Sequence, residues 1–289
     1  MRKTTIQLAV LSLLAIGGAQ AADVTGTVAY NPMGLTGTSN VPAATVSNTS
    51  TDSVYITSGD FTPYDNNYTN IAAYSQGSTE GGLSAEIGYL VMGGRVESTA
   101  TWHDTISNLS GSSRNYQMNL NLNSMTFNMG GWTANPALRD FRTGFVADVM
   151  VNGVSVWKSA QTFKLNGNGA SIEKFGVDIG NATLRDDTGP DYASLRYTLG
   201  NFLGQANLGT FAAGQTAEVS YSLSAFSYWD DPEGCAFECS SITARVDDYV
   251  GAESRIVSAP VPEPESYAML LGGLGLVGVL ARRRKLAAA

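Results

Sequence analysis

Val149-Met150-Val151-Asn152-Gly153-Val154-Ser155-Val156 is the stretch from which the fold is read most directly. Asn-Gly stands between two β-branched runs. A two-residue type I′ turn needs positive φ at both central positions, and Asn followed by Gly meets that need with little strain. The stretch therefore predicts a β-hairpin. Outward from it, Asn115–Met129 alternates with a period of two: Tyr116, Met118, Leu120 and Leu122 share one face, and Gln117, Asn119, Asn121 and Asn123 the other. Further short runs read as strands at Val24–Tyr30, Ser53–Thr57, Leu83–Val91, Val96–Ile106, Phe141–Val151 and Val154–Lys158. Others stand at Ser171–Ile179, Tyr192–Leu199, Ala217–Tyr228 and Ser240–Val246. No long amphipathic helical period interrupts them, and turn residues recur about every ten positions, which predicts an all-β antiparallel sandwich or jelly roll. Asn31–Asn70, rich in Thr, Ser, Asn and Pro with a single clear strand, is the exception and reads as either a wandering β segment or part of an irregular lead-in spanning 22–80.

The two ends have a different character. Arg2 and Lys3 precede an apolar run from Ile6 to Ile16, and Ala19-Gln20-Ala21 supplies a small-x-small cleavage pattern. Those three parts in that order predict a secretory signal peptide over 1–21. At the other end, Pro262-Glu263-Pro264 is followed by an apolar, glycine-rich stretch, Tyr267 to Ala281, and by Arg282-Arg283-Arg284-Lys285. As a helix, 267–281 spans roughly 22 Å, short of a hydrocarbon core of about 30 Å. The cations at 282–285 can snorkel to headgroups and extend that reach, so the expectation is a single short transmembrane helix with the bulk of the chain outside.

Pro-Glu-Pro, a short glycine-rich apolar helix and a terminal Arg cluster together resemble the PEP-CTERM sorting signal of exopolysaccharide-producing Gram-negative bacteria. The resemblance is carried by Pro262, Glu263, Pro264, Arg282, Arg283 and Arg284 and places the sorting signal at 260–289. It implies recognition by an exosortase, a membrane-embedded cysteine transpeptidase, and transient membrane anchoring before the helix is removed. It implies delivery to the cell surface, outer envelope or extracellular matrix and is silent on the delivered domain. Ala100–Asn108 and Ser220–Asp248 also resemble the β-domains found upstream of such tails. Within the tail, Gly273-x-Gly275-x-x-Gly278 imitates a dinucleotide fingerprint, but no strand-helix-strand unit and no acidic residue follow it, so no such cofactor is expected.

The domain left between the processed ends, 22–259, is acidic. Ala22 to Val261 holds 11 Lys and Arg against 23 Asp and Glu, a net charge of −12 where the whole chain has −8. Nucleic acid and anionic membranes require a cationic footprint and are excluded as partners; neutral glycans such as exopolysaccharide are compatible. Cys235 and Cys239, the two cysteines, are expected to pair in an oxidising compartment. So short a loop gains only about 2 kcal/mol, a local staple.

Chemical constellations are sparse. His103 is the one histidine, and Asp104 beside it would point to the opposite face of a strand, so the two do not make a dyad. Asp186, Asp187 and Asp191 are the best candidates for a structural Ca²⁺, against a solvated-turn reading. Trp132 and Trp229 are candidates for glycan contact, with Tyr64, Tyr68 and Tyr74 in similar settings; the same rings could instead plug the ends of a sandwich. No catalytic residue is assigned. The expectation is a non-enzymatic, exosortase-sorted surface or matrix protein with a structural or adhesive role in the exopolysaccharide or biofilm layer. The alternatives are a carbohydrate-binding module and a polysaccharide-modifying enzyme.

Overall fold

The computed structural model describes residues 22–31, 43–58, 71–79, 82–90, 94–132, 140–189, 192–230, 241–249 and 255–261. Among them run sixteen strands: β1 (Asp23–Asn31), β2 (Ala44–Ser50), β3 (Ser53–Thr57), β4 (Ile71–Ser78), β5 (Leu83–Leu90), β6 (Gly94–Ser107), β7 (Arg114–Trp132), β8 (Asp140–Val151), β9 (Val154–Asn166), β10 (Gly169–Gly176), β11 (Thr183–Asp186), β12 (Tyr192–Thr198), β13 (Phe202–Phe211), β14 (Thr216–Asp230), β15 (Ser241–Asp248) and β16 (Ile256–Pro260). They form two antiparallel sheets. The first has the order β10-β9-β8-β14-β6-β1-β2. The second runs β11-β12-β7-β15-β5-β4-β3, with β13 and β16 also paired to β7.

The hairpin read from Asn152-Gly153 is present. Both residues have positive φ, 50° and 76°, and Val151 pairs with Val154 across the turn. Asn152 also fastens the turn to β14: its N–H donates to the Glu218 carbonyl at 2.8 Å, and its Oδ1 accepts the Glu218 N–H at 2.9 Å.

Strand β7 carries the second sheet and shows how alternation can change phase. Tyr116, Met118, Leu120 and Leu122 are buried, as the pattern requires, but beyond them the buried residues are Met125, Phe127 and Met129. The switch from even to odd numbers falls at Ser124, whose φ is +53°, where the β15 register skips from Arg245↔Thr126 to Asp247↔Asn123. This is a β-bulge, which bends the strand and returns its apolar residues to the core. The bend lets one strand serve two sets of partners, β13 and β16 on its first half and β12 and β15 on its second.

The sheets close on a continuous aromatic seam. Phe127 of the second sheet packs on Phe145 and Phe163 of the first, at centroid separations of 5.8 and 4.8 Å, and Phe163 stacks on Tyr197 at 4.5 Å. All four rings are buried. Such pairs add about 0.5–1.5 kcal/mol each beyond their burial.

Several expectations need correction. Among the described residues no helix is long and apolar enough to cross a membrane, so the expected flanking transmembrane helix is not borne out and what they support is the two-sheet β domain. The stretch expected to form it, 267–281, lies outside the described residues, as does the expected signal peptide, 1–21. The disulfide is likewise not borne out: Cys235 and Cys239 lie outside the described residues, and no cysteine is found among those described. Within 22–80 the described residues include four strands, β1 to β4.

Candidate functional site

Among the described residues, a concavity of about 600 Å³ lies on the outer face of the first sheet, at the end near the Asn152-Gly153 turn. Register builds it. Asp23 of β1 lies opposite His103 of β6, which lies opposite Ser220 of β14, so three polar side chains from three strands form one row on one face. Thr25 pairs with Thr49 of β2 in the next position, their hydroxyls 2.8 Å apart. Glu218, opposite Thr105, adds a carboxylate to the same face, and Gly153 of the turn closes one side; Asp104 also borders the concavity, but its register partner is the buried Val219, in the row of the opposite face.

His103 is exposed and Asp104 half-buried. The Asp104 carboxyl is raised above its ordinary range by burial, an effect opposed by the Thr105 N–H that donates to its Oδ1 at 2.7 Å. That bond commits Asp104 to its own backbone, in keeping with the expectation that it does not orient His103. The groove thus offers hydroxyls, carboxylates and one imidazole on a rigid sheet. Such groups donate to and accept from polyol hydroxyls; no nucleophile–base pair stands out among them.

A second polar cluster is internal. Asp248, at the end of β15, and Arg255, just before β16, are both fully buried, and Arg255 Nη2 donates to Asp248 Oδ1 at 3.2 Å. The other carboxylate oxygen accepts the Tyr221 hydroxyl at 2.9 Å and the Asn121 N–H at 3.2 Å. The guanidinium also lies over the Tyr221 ring, 5.1 Å from its centroid. Burial, and then the Asp248 charge, push the Tyr221 hydroxyl well above its usual range. Next to it Asp247 accepts Ser84 Oγ at 2.6 Å and Arg245 Nε at 2.9 Å. These groups hold elements together across the interior: β14 of the first sheet, β7 and β15 of the second, and the root of β16.

The residues singled out from sequence fall in different places. Trp229 is fully buried and stacks on Phe141 at 5.9 Å with planes 6° apart, so its ring belongs to the core and not to a glycan surface. Trp132 ends β7 with its backbone opposite Tyr192. Tyr64 and Tyr68 lie outside the described residues, whereas Tyr74 stacks on Tyr55, which is 60% exposed, at 6.2 Å on the second sheet. Asp186 Oδ1 accepts the Thr188 N–H at 2.9 Å, and Asp187 Oδ2 accepts Arg185 Nε at 2.6 Å. Asp191 lies outside the described residues, and among those described no three His, Cys, Asp or Glu side chains come together to hold a metal. Sequence reasoning missed Asp23, Thr25, Glu218 and Ser220 as neighbours of His103. Only the strand order joins them.

The described fold reaches the start of the tail. Strand β16 pairs Ile256–Pro260 with β7, and the Val261 N–H donates to the Ser113 carbonyl at 3.2 Å, so one residue separates β16 from Pro262. The chain is thus an all-antiparallel two-sheet domain with a C-terminal extension. Residues 260–285 match the PEP-CTERM protein-sorting motif, as the resemblance of Pro262, Glu263, Pro264 and the Arg cluster implied. The motif supports export and exosortase-mediated sorting to the surface. No curated protein matches the chain.

Proposed function

We propose that the chain is a non-enzymatic structural component of the cell surface or exopolysaccharide matrix, delivered by its tail and acting through the outer faces and edges of its sandwich. The observation that carries this reading is the junction itself: the Pro262-Glu263-Pro264 of the sorting motif begins one residue after a strand that the fold holds from inside through Arg255. The domain side of that junction is therefore built into a closed core, as suits a protein whose business is to persist outside the cell. The test is to replace Pro262, Glu263 and Pro264 with Ala in the native host. The reading expects loss of the chain from the surface fraction together with weaker matrix cohesion. Unchanged cohesion despite loss from the surface would defeat the structural role while leaving sorting intact.

Glycan binding is the second reading, and two observations favour it: the hydroxyl-and-carboxylate groove around His103, and the exposed Tyr55 ring stacked on half-buried Tyr74, since sugar rings pack on aromatic faces. Retention on an exopolysaccharide affinity gel that drops on Tyr55→Ala or Glu218→Ala supports it. Equal retention of the unsubstituted chain and both variants counts against it.

A further inference from the structure

The first sheet ends in β10, and β10 is bare. All eight of its residues, Gly169 to Gly176, are exposed, and Phe175 and Ile172 are 68% and 38% exposed. The next residue, Val177, is 41% exposed. An edge strand offers a row of backbone donors and acceptors that another strand can complete, and proteins normally blunt such edges by making them short, charged or proline-bearing. The other edges are blunted in various ways: β11 has four residues including Arg185 and Asp186, β3 has five, β2 presents Thr45, Ser47, Asn48 and Thr49, β16 ends in proline, and β13, long and with Leu203 77% exposed, is broken by a bulge between Asn207 and Gly209. Strand β10 combines an unbroken eight-residue register, exposed apolar side chains and no proline, and its two charges are already paired, Glu173 with Lys164 and Lys174 with Asp178.

Charge indicates what covers it. The domain carries −12, so two copies repel over most of their surfaces. Its only three lysines, Lys158, Lys164 and Lys174, all lie on β9 and β10, where they pair with Asp148, Glu173 and Asp178. This edge is therefore the locally balanced part of an acidic molecule, where a second copy approaches at least electrostatic cost. We infer that β10 pairs antiparallel with β10 of a second copy of this chain, extending the first sheet across a twofold axis.

The register can be specified. A twofold axis perpendicular to the sheet keeps outer faces outward, so a residue can lie opposite only residues of its own parity. Centred on Glu173, the pairing sets carboxylate against carboxylate; centred on Lys174, ammonium against ammonium. Like charges directly opposite are destabilising. Centred on Ser171, the pairing leaves Phe175 beyond Gly169 of the second copy. Centred on Ile172, it sets Ile172 on its counterpart, Glu173 on Ser171, Lys174 on Ala170 and Phe175 on Gly169, with no like charges opposed. Ser171 already lies beside Lys164 of β9, so Glu173 of the second copy arrives in the row of that lysine. The pairing stands on this edge alone and does not depend on the matrix role.

Sedimentation equilibrium of the full chain over a concentration series, together with disulfide trapping, tests it. Directly opposed residues have Cβ atoms about 4.5–5.5 Å apart, close to disulfide reach. The expected results are a dimer that Phe175→Lys converts to monomer, and an intermolecular cross-link in Ile172→Cys above the background of the unsubstituted chain. Ala170→Cys and Lys174→Cys should cross-link when mixed and not when alone. Phe175 is mostly exposed, so its substitution leaves the core intact. A chain that stays monomeric at every concentration, a dimer indifferent to Phe175→Lys, or trapping of Lys174→Cys with itself in place of Ile172→Cys overturns the inference.

Discussion

Removing Arg255 is the most informative perturbation of the fold. Its guanidinium and the Asp248 carboxylate are both fully buried, and the pair bridges β15 and the root of β16 while Tyr221 adds a bond from the other sheet. Burying two charges is costly, and their attraction offsets that cost only while both are present; deleting one partner of such a pair typically loses about 3–5 kcal/mol. Arg255→Met keeps much of the side-chain volume and leaves Asp248 with the neutral donors Tyr221 and Asn121, so the loss expected is in that range. Against a typical domain stability of about 5–15 kcal/mol this is a large fraction. Asp248→Asn strands the cation instead and should lose a similar amount, whereas Tyr221→Phe removes one bond to a charged acceptor, about 1.5–3 kcal/mol. The double variant Arg255→Met, Asp248→Leu removes both charges and should be more stable than the sum of the single losses implies. Guanidinium unfolding read by tryptophan fluorescence measures all four. A loss below about 1 kcal/mol for Arg255→Met, or strict additivity in the double variant, would refute the reasoning.

Other outcomes follow from particular contacts. A Cβ on Gly144 would lie 2.1 Å from the Gln161 carbonyl oxygen of the paired strand, a backbone atom that cannot swing aside. Gly144→Ala should therefore lower the unfolding free energy by about 1–3 kcal/mol or more, and an unchanged guanidinium midpoint would contradict that packing. The Tyr221 hydroxyl keeps its proton in the fold well above its ordinary value of 10.0, while in the unfolded chain it ionises normally. Its contribution is thus complete below that value and is lost as pH rises above it. Between about pH 9 and about pH 11 the unsubstituted chain should lose more stability than Tyr221→Phe; parallel losses would argue against a protonated, buried Tyr221. Gly153 holds φ at +76° in the hairpin turn, so Gly153→Val should destabilise by about 1–2 kcal/mol in thermal unfolding, and no change in midpoint would mean that the turn adopts another geometry.

Local rules were legible in the sequence, and long-range ones were not. Asn152-Gly153 gave its turn away because positive φ at two successive residues leaves few choices of side chain. The first half of β7 was equally plain, but the bulge at Ser124 carries no side-chain signature and moves the apolar residues from even to odd numbers. Strands β2 and β13 escaped notice because one is polar on an edge and the other is glycine-rich; β16 is short and ends in proline. Asp247-Asp248 reads as a solvated turn, yet both carboxylates are fully buried. Their donors Ser84, Tyr221 and Arg255 are scattered along the chain, and no local pattern announces that they converge. The same holds for the groove: His103 was visible, but Asp23 and Ser220 become its neighbours only once β1 and β14 flank β6. Trp229 reads from sequence as either a surface ring or a plug of the sandwich, and the β14 alternation turns it into the core.

The structural role in the matrix is tested most directly by measuring how well the matrix of the native host resists shear when this chain is deleted and then restored. The account predicts that cohesion falls on deletion and returns with the unsubstituted chain, and stays low with a chain whose Pro262-Glu263-Pro264 is replaced by Ala. Cohesion that is the same in the deleted and the intact host would contradict it.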